Sequence, residues 1–162
     1  MITLQPVTRG NPFEEYPQLR TIWPAEFQVI AEEATVETVA NEMPHGDVGG
    51  IFLVVKADQV IGITGFFYVD SVEEPYLRWH GLVPAERRNG YSRRALEMVV
   101  ARIKEKIPTA KGLTELVPQT QTDYGVGIGK HFDALGFVKS GELETYDWSP
   151  YAWQPVRLDI ES

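Results

Sequence analysis

Residues 82–92 read Leu82-Val83-Pro84-Ala85-Glu86-Arg87-Arg88-Asn89-Gly90-Tyr91-Ser92, and this stretch decides how the rest of the chain is read. Upstream, Tyr76 to Val83 reads as a strand that Pro84 ends. Downstream, Leu96, Val99, Val100, Ile103 and Ile107 recur at helical spacing and predict a helix over 91–107, stopped by Pro108. Four arginines (Arg87, Arg88, Arg93, Arg94) crowd the start of that helix. A helix N-terminus exposes unpaired N–H groups and carries roughly half a positive charge, so it favours acids. The reversed charge costs stability unless an anion binds among the arginines. Asn89-Gly90 turns the chain, and a glycine admits a phosphate with no Cβ in the way. The alternative is four solvated arginines around an ordinary turn, and the residues alone leave both open.

The flanks extend the strand–loop–helix unit in both directions. Ile2 to Val7 reads as a short strand. Pro12, Pro17 and Pro24 keep any helix over 11–24 short or broken. Glu26 to Ala34 reads as one helix and Thr35 to Met43 as another, with Thr35 as its N-cap. Pro44 to Asp47 reads as a loop. Gly50 to Lys56 and Gln59 to Val69 form a hairpin across Ala57-Asp58. Gly62 and Gly65 inside the second strand predict a bulge or a close neighbour. Leu113 to Val117 reads as a strand, and Gly125 to Leu135 as a helix closed by Gly136. Glu142 to Trp148 and Val156 to Ile160 alternate like strands. Gly125-Val126-Gly127-Ile128-Gly129-Lys130 fits neither nucleotide-loop pattern, because Tyr124, His131 and Lys130 stand where those patterns need other residues. It reads as the start of a helix.

Composition bounds the function. The chain has 162 residues, 43 % of them hydrophobic and 23 % charged, which fits one domain over 1–162 with its own core. There is no cysteine, so disulfides, thiolate metal sites and thiol nucleophiles are excluded. No signal-peptide pattern opens the chain and no apolar run spans a membrane, so a cytoplasmic location is expected. A net charge of −8 argues against a nucleic-acid partner and leans towards a cationic one.

The Leu82–Ser92 stretch resembles the core motif of the GNAT superfamily of acyl-CoA N-acyltransferases. There a strand ends in an apolar residue and a proline, and a loop of the form Arg/Gln-x-x-Gly-x-Gly/Ala opens a long helix. Arg87, Gly90 and Ser92 occupy the three defining positions, with Ser92 a departure that keeps a small residue. Lys130 to Phe137 resembles the family's later helix ending in Gly-Phe. Together the matches cover about residues 50–140.

The resemblance implies an α+β fold: a central mixed, mostly antiparallel twisted sheet with helices on both faces. It implies acetyl transfer from acetyl-CoA to an amine in a ternary complex, without a metal. The acceptor would be a small molecule or a peptide, and the protein a monomer or homodimer. Arg87, Arg88, Asn89, Gly90, Tyr91 and Ser92 would hold the pyrophosphate, and Leu82, Val83 and Pro84 the pantetheine arm. The Leu82 N–H would face the thioester carbonyl, where the core strand and the Gln59–Val69 strand splay apart. Two departures matter. Phe132 stands where many relatives carry an acidic tyrosine; it can pack against pantetheine, while Tyr124 or His131 is left to donate the proton. Residues 60–69 hold no acid, so His80, two residues before Leu82, is the candidate base. Trp23, Phe27, Tyr68, Tyr146, Trp148 and Trp153, with Glu26, Glu32 and Glu33, are candidates for the acceptor site. Other readings are a CoA-binding sensor without turnover, and an acyltransferase using another acyl group or acceptor.

Overall fold

The computed structural model describes residues 1–40 and 49–161. Among these residues nine strands make one sheet: β1 (Ile2–Pro6), β2 (Gly50–Lys56), β3 (Gln59–Val69), β4 (Glu74–Leu77), β5 (Gly81–Leu82), β6 (Gly112–Pro118), β7 (Val138–Lys139), β8 (Glu144–Thr145) and β9 (Ala152–Asp159). Their order is β1-β2-β3-β4-β6-β9-β7, with β5 added on β3 and β8 on β9. Among the described residues only the β4–β6 pair is parallel, and it is joined at a single register, Tyr76 opposite Thr114. The helices are α1 (Pro12–Glu15), α2 (Ala25–Ala40), α3 (Tyr91–Lys106) and α4 (Asp123–Ala134).

Helices cover both faces, as the α+β reading requires. On one face α3 buries Ala95, Leu96, Val99 and Ile103, and α4 buries Phe132, against Phe52, Val54, Ile61 and Leu113. On the other, Phe13 of α1 and Phe27 and Ala31 of α2 pack on Ile51, Leu53, Ile63 and Trp153. The 7-residue and 11-residue strands of the β2–β3 hairpin turn through Ala57 and Asp58, both at positive φ (47° and 66°). That handedness matches the twist of the strands it joins. The register skips at Val54/Val55, beside Gly62, so the bulge expected there is present.

Several expectations are corrected. The two helices read over Glu26–Ala34 and Thr35–Met43 are one, α2, to residue 40; residues 41–43 and the loop at 44–47 lie outside the described residues. Phe27, Ala31 and Thr35 recur every four residues on its buried face, so Thr35 sits mid-helix and caps nothing. The strand read from Tyr76 to Val83 is broken: Trp79 adopts φ 28°, and β4 and β5 are separated by Arg78, Trp79 and His80. The strand read over Glu142–Trp148 shrinks to Glu144–Thr145, while that at Val156–Ile160 begins earlier, at Ala152.

The break has a functional result. β4 and β5 both pair with β3, and neither runs beside β6 beyond the Tyr76–Thr114 contact. The sheet therefore opens between β5 and β6, not between the core strand and β3 as expected. The ladder shows it: β5 pairs with β3, with Leu82 opposite Gly62, and among the described residues it shares no register with β6. Among the described residues no helix is long and apolar enough to cross a membrane.

Candidate active site

α3 begins at Tyr91 with Gly90 as its N-cap, and no side chain accepts its first N–H groups. No acid lies in its first turn. Arg88 (φ 68°) and Gly90 (φ 78°) are both left-handed. Alternation of this kind turns successive backbone N–H groups towards a common anion. The uncapped helix end, the left-handed loop and the arginines together fit a pyrophosphate.

This loop forms one wall of a cavity of about 540 Å³. Of the residues expected to hold the cofactor, Leu82, Arg87, Arg88, Gly90 and Ser92 line it. Val83, Pro84, Asn89, Tyr91 and Phe132 do not. The Tyr91 ring instead lies 5.3 Å from Lys56 Nζ, and Phe132 is buried edge-on against Phe137. Pro84 opens a short 3-10 turn, Pro84–Glu86. The Val83 N–H donates to Ile61 O at 2.8 Å. Backbone groups alternate sides along an extended strand, so the Leu82 N–H points the other way, towards the opening beside β6.

Arg87 does more than present charge. Its Nε donates to Leu82 O at 3.1 Å and its Nη2 to Ile22 O at 2.7 Å. The guanidinium ties the loop both to the end of β5 and to the segment before α2. A lysine has no such fork. Arg87→Lys should therefore weaken CoA binding about as much as Arg87→Ala, each by roughly fivefold or more, as expected for about 1 kcal/mol per hydrogen bond lost. Calorimetry on the three proteins checks this.

A second cavity, of about 690 Å³, lies between α2, the ends of β3 and β4, and the β8 hairpin. Glu33, Glu37, Glu115 and Glu144 line it beside Arg78, with Tyr146, Trp148 and Trp153 among its aromatic walls. Tyr146 stacks on Trp148 at 5.1 Å, and burial pushes its phenol up to about 12. Of the expected acceptor-site residues, Glu33, Tyr146, Trp148 and Trp153 are here. Trp23 lines the first cavity, Glu32 is paired with Arg20, and Phe27 is core.

Between the two cavities is a neck of about 30 Å³, lined by His80, Glu115, Tyr124 and Phe132 among others. Tyr124 and His80 belong to the neck and the first cavity; Glu115 belongs to the neck and the second. Glu115 sits on β6 with its Oε1 accepting from the Leu116 N–H at 2.8 Å. Enclosure pushes its carboxyl up to about 8, against the smaller pull of that N–H and of Arg78. Tyr124 packs its ring 4.8 Å from Phe27, and burial, with the Glu115 charge behind it, pushes its phenol up. His80 is 5 % exposed and lowered to about 4, chiefly by burial and then by His131. Both its ring nitrogens already have partners, Thr64 and Ser92. Sequence reasoning missed Glu115. Its one signal was a carboxylate in the middle of the apolar run Leu113-Thr114-Glu115-Leu116-Val117.

Solved structures supply the comparison. The chain superposes on an acetyltransferase assigned to the GNAT family from Desulfovibrio desulfuricans with a TM-score of 0.72, at 14 % identity over 99 % of this chain and all of that one. The fold is that of the GNAT acetyltransferases. A Vibrio cholerae spermidine N-acetyltransferase chimera gives 0.68 at 15 % identity, covering 98 % of this chain and 95 % of the other. A GNAT-family acetyltransferase from Elizabethkingia anophelis with acetyl-CoA bound gives 0.63 at 15 %, covering 98 % and 97 %. No family model and no curated protein sequence matches the chain. In this chain the neck shares His80 and Tyr124 with the first cavity and Glu115 and Trp153 with the second, so the three spaces adjoin along one passage beside the arginine-glycine loop and the opened sheet.

Proposed function

We propose that this chain transfers an acetyl group from acetyl-CoA to a cationic amine, with the cofactor in the first cavity and the acceptor in the second. The observation that carries the reading is the neck. A carboxyl held near 8 sits where the two cavities meet, on the acceptor side. An alkylammonium is stripped of its proton more readily by a carboxylate whose affinity for protons has been raised. Glu115 takes the role of base, which moves it away from His80, whose nitrogens are committed. Arg87, Arg88, Gly90 and the α3 N-terminus hold the pyrophosphate. The Leu82 N–H faces the opening and stabilises the oxyanion. Tyr124, with its phenol pushed up, keeps its proton and acts as a hydrogen-bond donor at the neck.

Glu33, Glu37 and Glu144 around the acceptor cavity favour a substrate with more than one positive charge. One structural neighbour is by name a spermidine N-acetyltransferase, and a polyamine fits this charge pattern. The test is calorimetry with acetyl-CoA followed by thiol release with spermidine, a simple alkylamine and a peptide. Tight cofactor binding with turnover of spermidine above the alkylamine supports the reading. Cofactor binding without turnover on any amine sinks the transferase and leaves a CoA-binding module.

A further inference from the structure

The neck is small against the two spaces it joins. It has about 30 Å³, against about 540 Å³ and about 690 Å³. That is room for roughly two groups the size of a water molecule. Phe27, Pro118 and Phe132 line the neck and line neither larger cavity. All three are buried. Phe27 packs 4.8 Å from the Tyr124 ring and 6.3 Å from Trp153, and Phe132 lies 5.2 Å from Phe137. Pro118 stands opposite Trp153 in the β6–β9 ladder. Side chains braced in this way move apart only with strain.

Acetyl transfer requires this space to hold two groups at once. The thioester enters from the first cavity, with its carbonyl at the Leu82 N–H. The amine enters from the second, past Glu115. At the moment of attack the amine nitrogen and the methyl of the acetyl group both lie in the neck. The ammonium gives one proton to Glu115, and its nitrogen bonds to the carbonyl carbon. The C–S bond then breaks, and a second proton passes from the nitrogen to the departing sulfur. A methyl and a nitrogen together fill the neck. Each further methylene on the acyl chain must push aside a braced ring or take the place of the amine. The larger acceptor cavity gives no relief, because a chain threaded through the neck blocks the path of the nitrogen.

We propose that the neck is an acyl-length sieve, which admits an acetyl group beside the amine and rejects longer acyl chains, with Phe132 as the wall that sets its size. The sieve rests on the acetyl-transfer reading and adds to it a rule for the acyl donor. Phe27 also braces Tyr124, the donor at the neck, whereas Phe132 packs on Phe137 at the end of α4. Phe132 is thus a specificity-determining residue that takes no part in proton transfer.

The test measures kcat/KM for acetyl-, propionyl- and butyryl-CoA with spermidine, the simple alkylamine or the peptide, whichever turns over fastest. One methylene too many in an apolar pocket costs about 10- to 200-fold. The parent should therefore prefer acetyl- to propionyl-CoA by about tenfold or more, and transfer butyryl more slowly still. Phe132→Val removes ring volume from the neck and should narrow the acetyl-to-propionyl preference by about tenfold. A variant whose fold is only loosened would slow all the donors alike and leave that ratio where it was. If Phe132→Val does not fold, Leu116→Ala trims the same neck at a half-buried position on β6 and carries the same expectation. A parent that transfers propionyl or butyryl as readily as acetyl overturns the proposal. An unchanged ratio in a folded Phe132→Val overturns the role of Phe132. If no donor is turned over, the transferase is sunk, and calorimetry of spermidine into the acetyl-CoA and butyryl-CoA complexes still decides the sieve. Spermidine should bind the butyryl-CoA complex about tenfold more weakly, and equal binding overturns the sieve. Spermidine that binds neither complex removes the acceptor site and the sieve together.

Discussion

Glu115→Gln is expected to lower kcat for acetyl transfer by about 100- to 1,000-fold, within the range that a positioned general base contributes. CoA affinity should hardly change, because Glu115 lines the neck and the acceptor cavity and not the cofactor cavity. The pH profile carries the sharper signature. A carboxyl held at about 8 is mostly protonated at neutral pH, so activity of the parent should climb as pH rises through 8. That limb should vanish in the variant. Stability gives an independent check of opposite sign. The folded carboxyl binds its proton more tightly than the unfolded one, so the folded state holds more protons between about 4.5 and 8. Its contribution to stability is complete below the unfolded value and is lost as pH rises through 8. Glutamine carries no such charge. Thermal unfolding above pH 8 should therefore find Glu115→Gln at least as stable as the parent, while its activity is lost. A variant inactive only because it is unfolded would show the reverse, and a retained limb near 8 would place the base elsewhere.

The contrast between Glu115 and the arginine loop shows where the sequence is legible. The loop is local: strand end, proline, arginines, glycine and helix are consecutive, so charge and spacing reveal it before any tertiary contact is known. α3 is equally plain, because Leu96, Val99 and Ile103 report one buried face. Glu115 acquires its character only in the folded chain, where β6 stands apart from β5 and its half-buried carboxyl lines the neck. No neighbour in sequence encodes that enclosure. The break in the core strand is similar. Tyr76 to Val83 alternates well enough to read as continuous, and only the pairing of both halves with β3, with Trp79 at φ 28°, shows the interruption. His80 lies two residues before Leu82 and lines the first cavity. Its role could not be read there, since Thr64 and Ser92, its two partners, come from β3 and α3.

The second large effect concerns the position of β5, which decides whether the passage is open. A Cβ at Gly62 would lie 2.5 Å from Gly81 O and 2.7 Å from Leu82 Cδ2. The carbonyl is main chain, so it cannot rotate away. β5 has two residues and pairs only with β3, so it is the element that yields, and it yields towards the opening beside β6. Gly62→Ala should therefore cost about 1–3 kcal/mol as an overpacking change, or roughly 3–10 °C in Tm for a chain of this size. It should also displace the Leu82 carbonyl that Arg87 grips and the Leu82 N–H assigned to the oxyanion. CoA affinity should fall by about tenfold, as for a loss near 1.4 kcal/mol, and kcat with it. Gly127→Ala supplies the contrast in stability. It lies inside α4, its Cβ would meet nothing within 4 Å, and alanine is the better helix former by about 1 kcal/mol. Differential scanning calorimetry should thus move the two glycine variants in opposite directions. If Gly62→Ala unfolds at the parental temperature and binds CoA normally, β5 is not what sets the width of the passage.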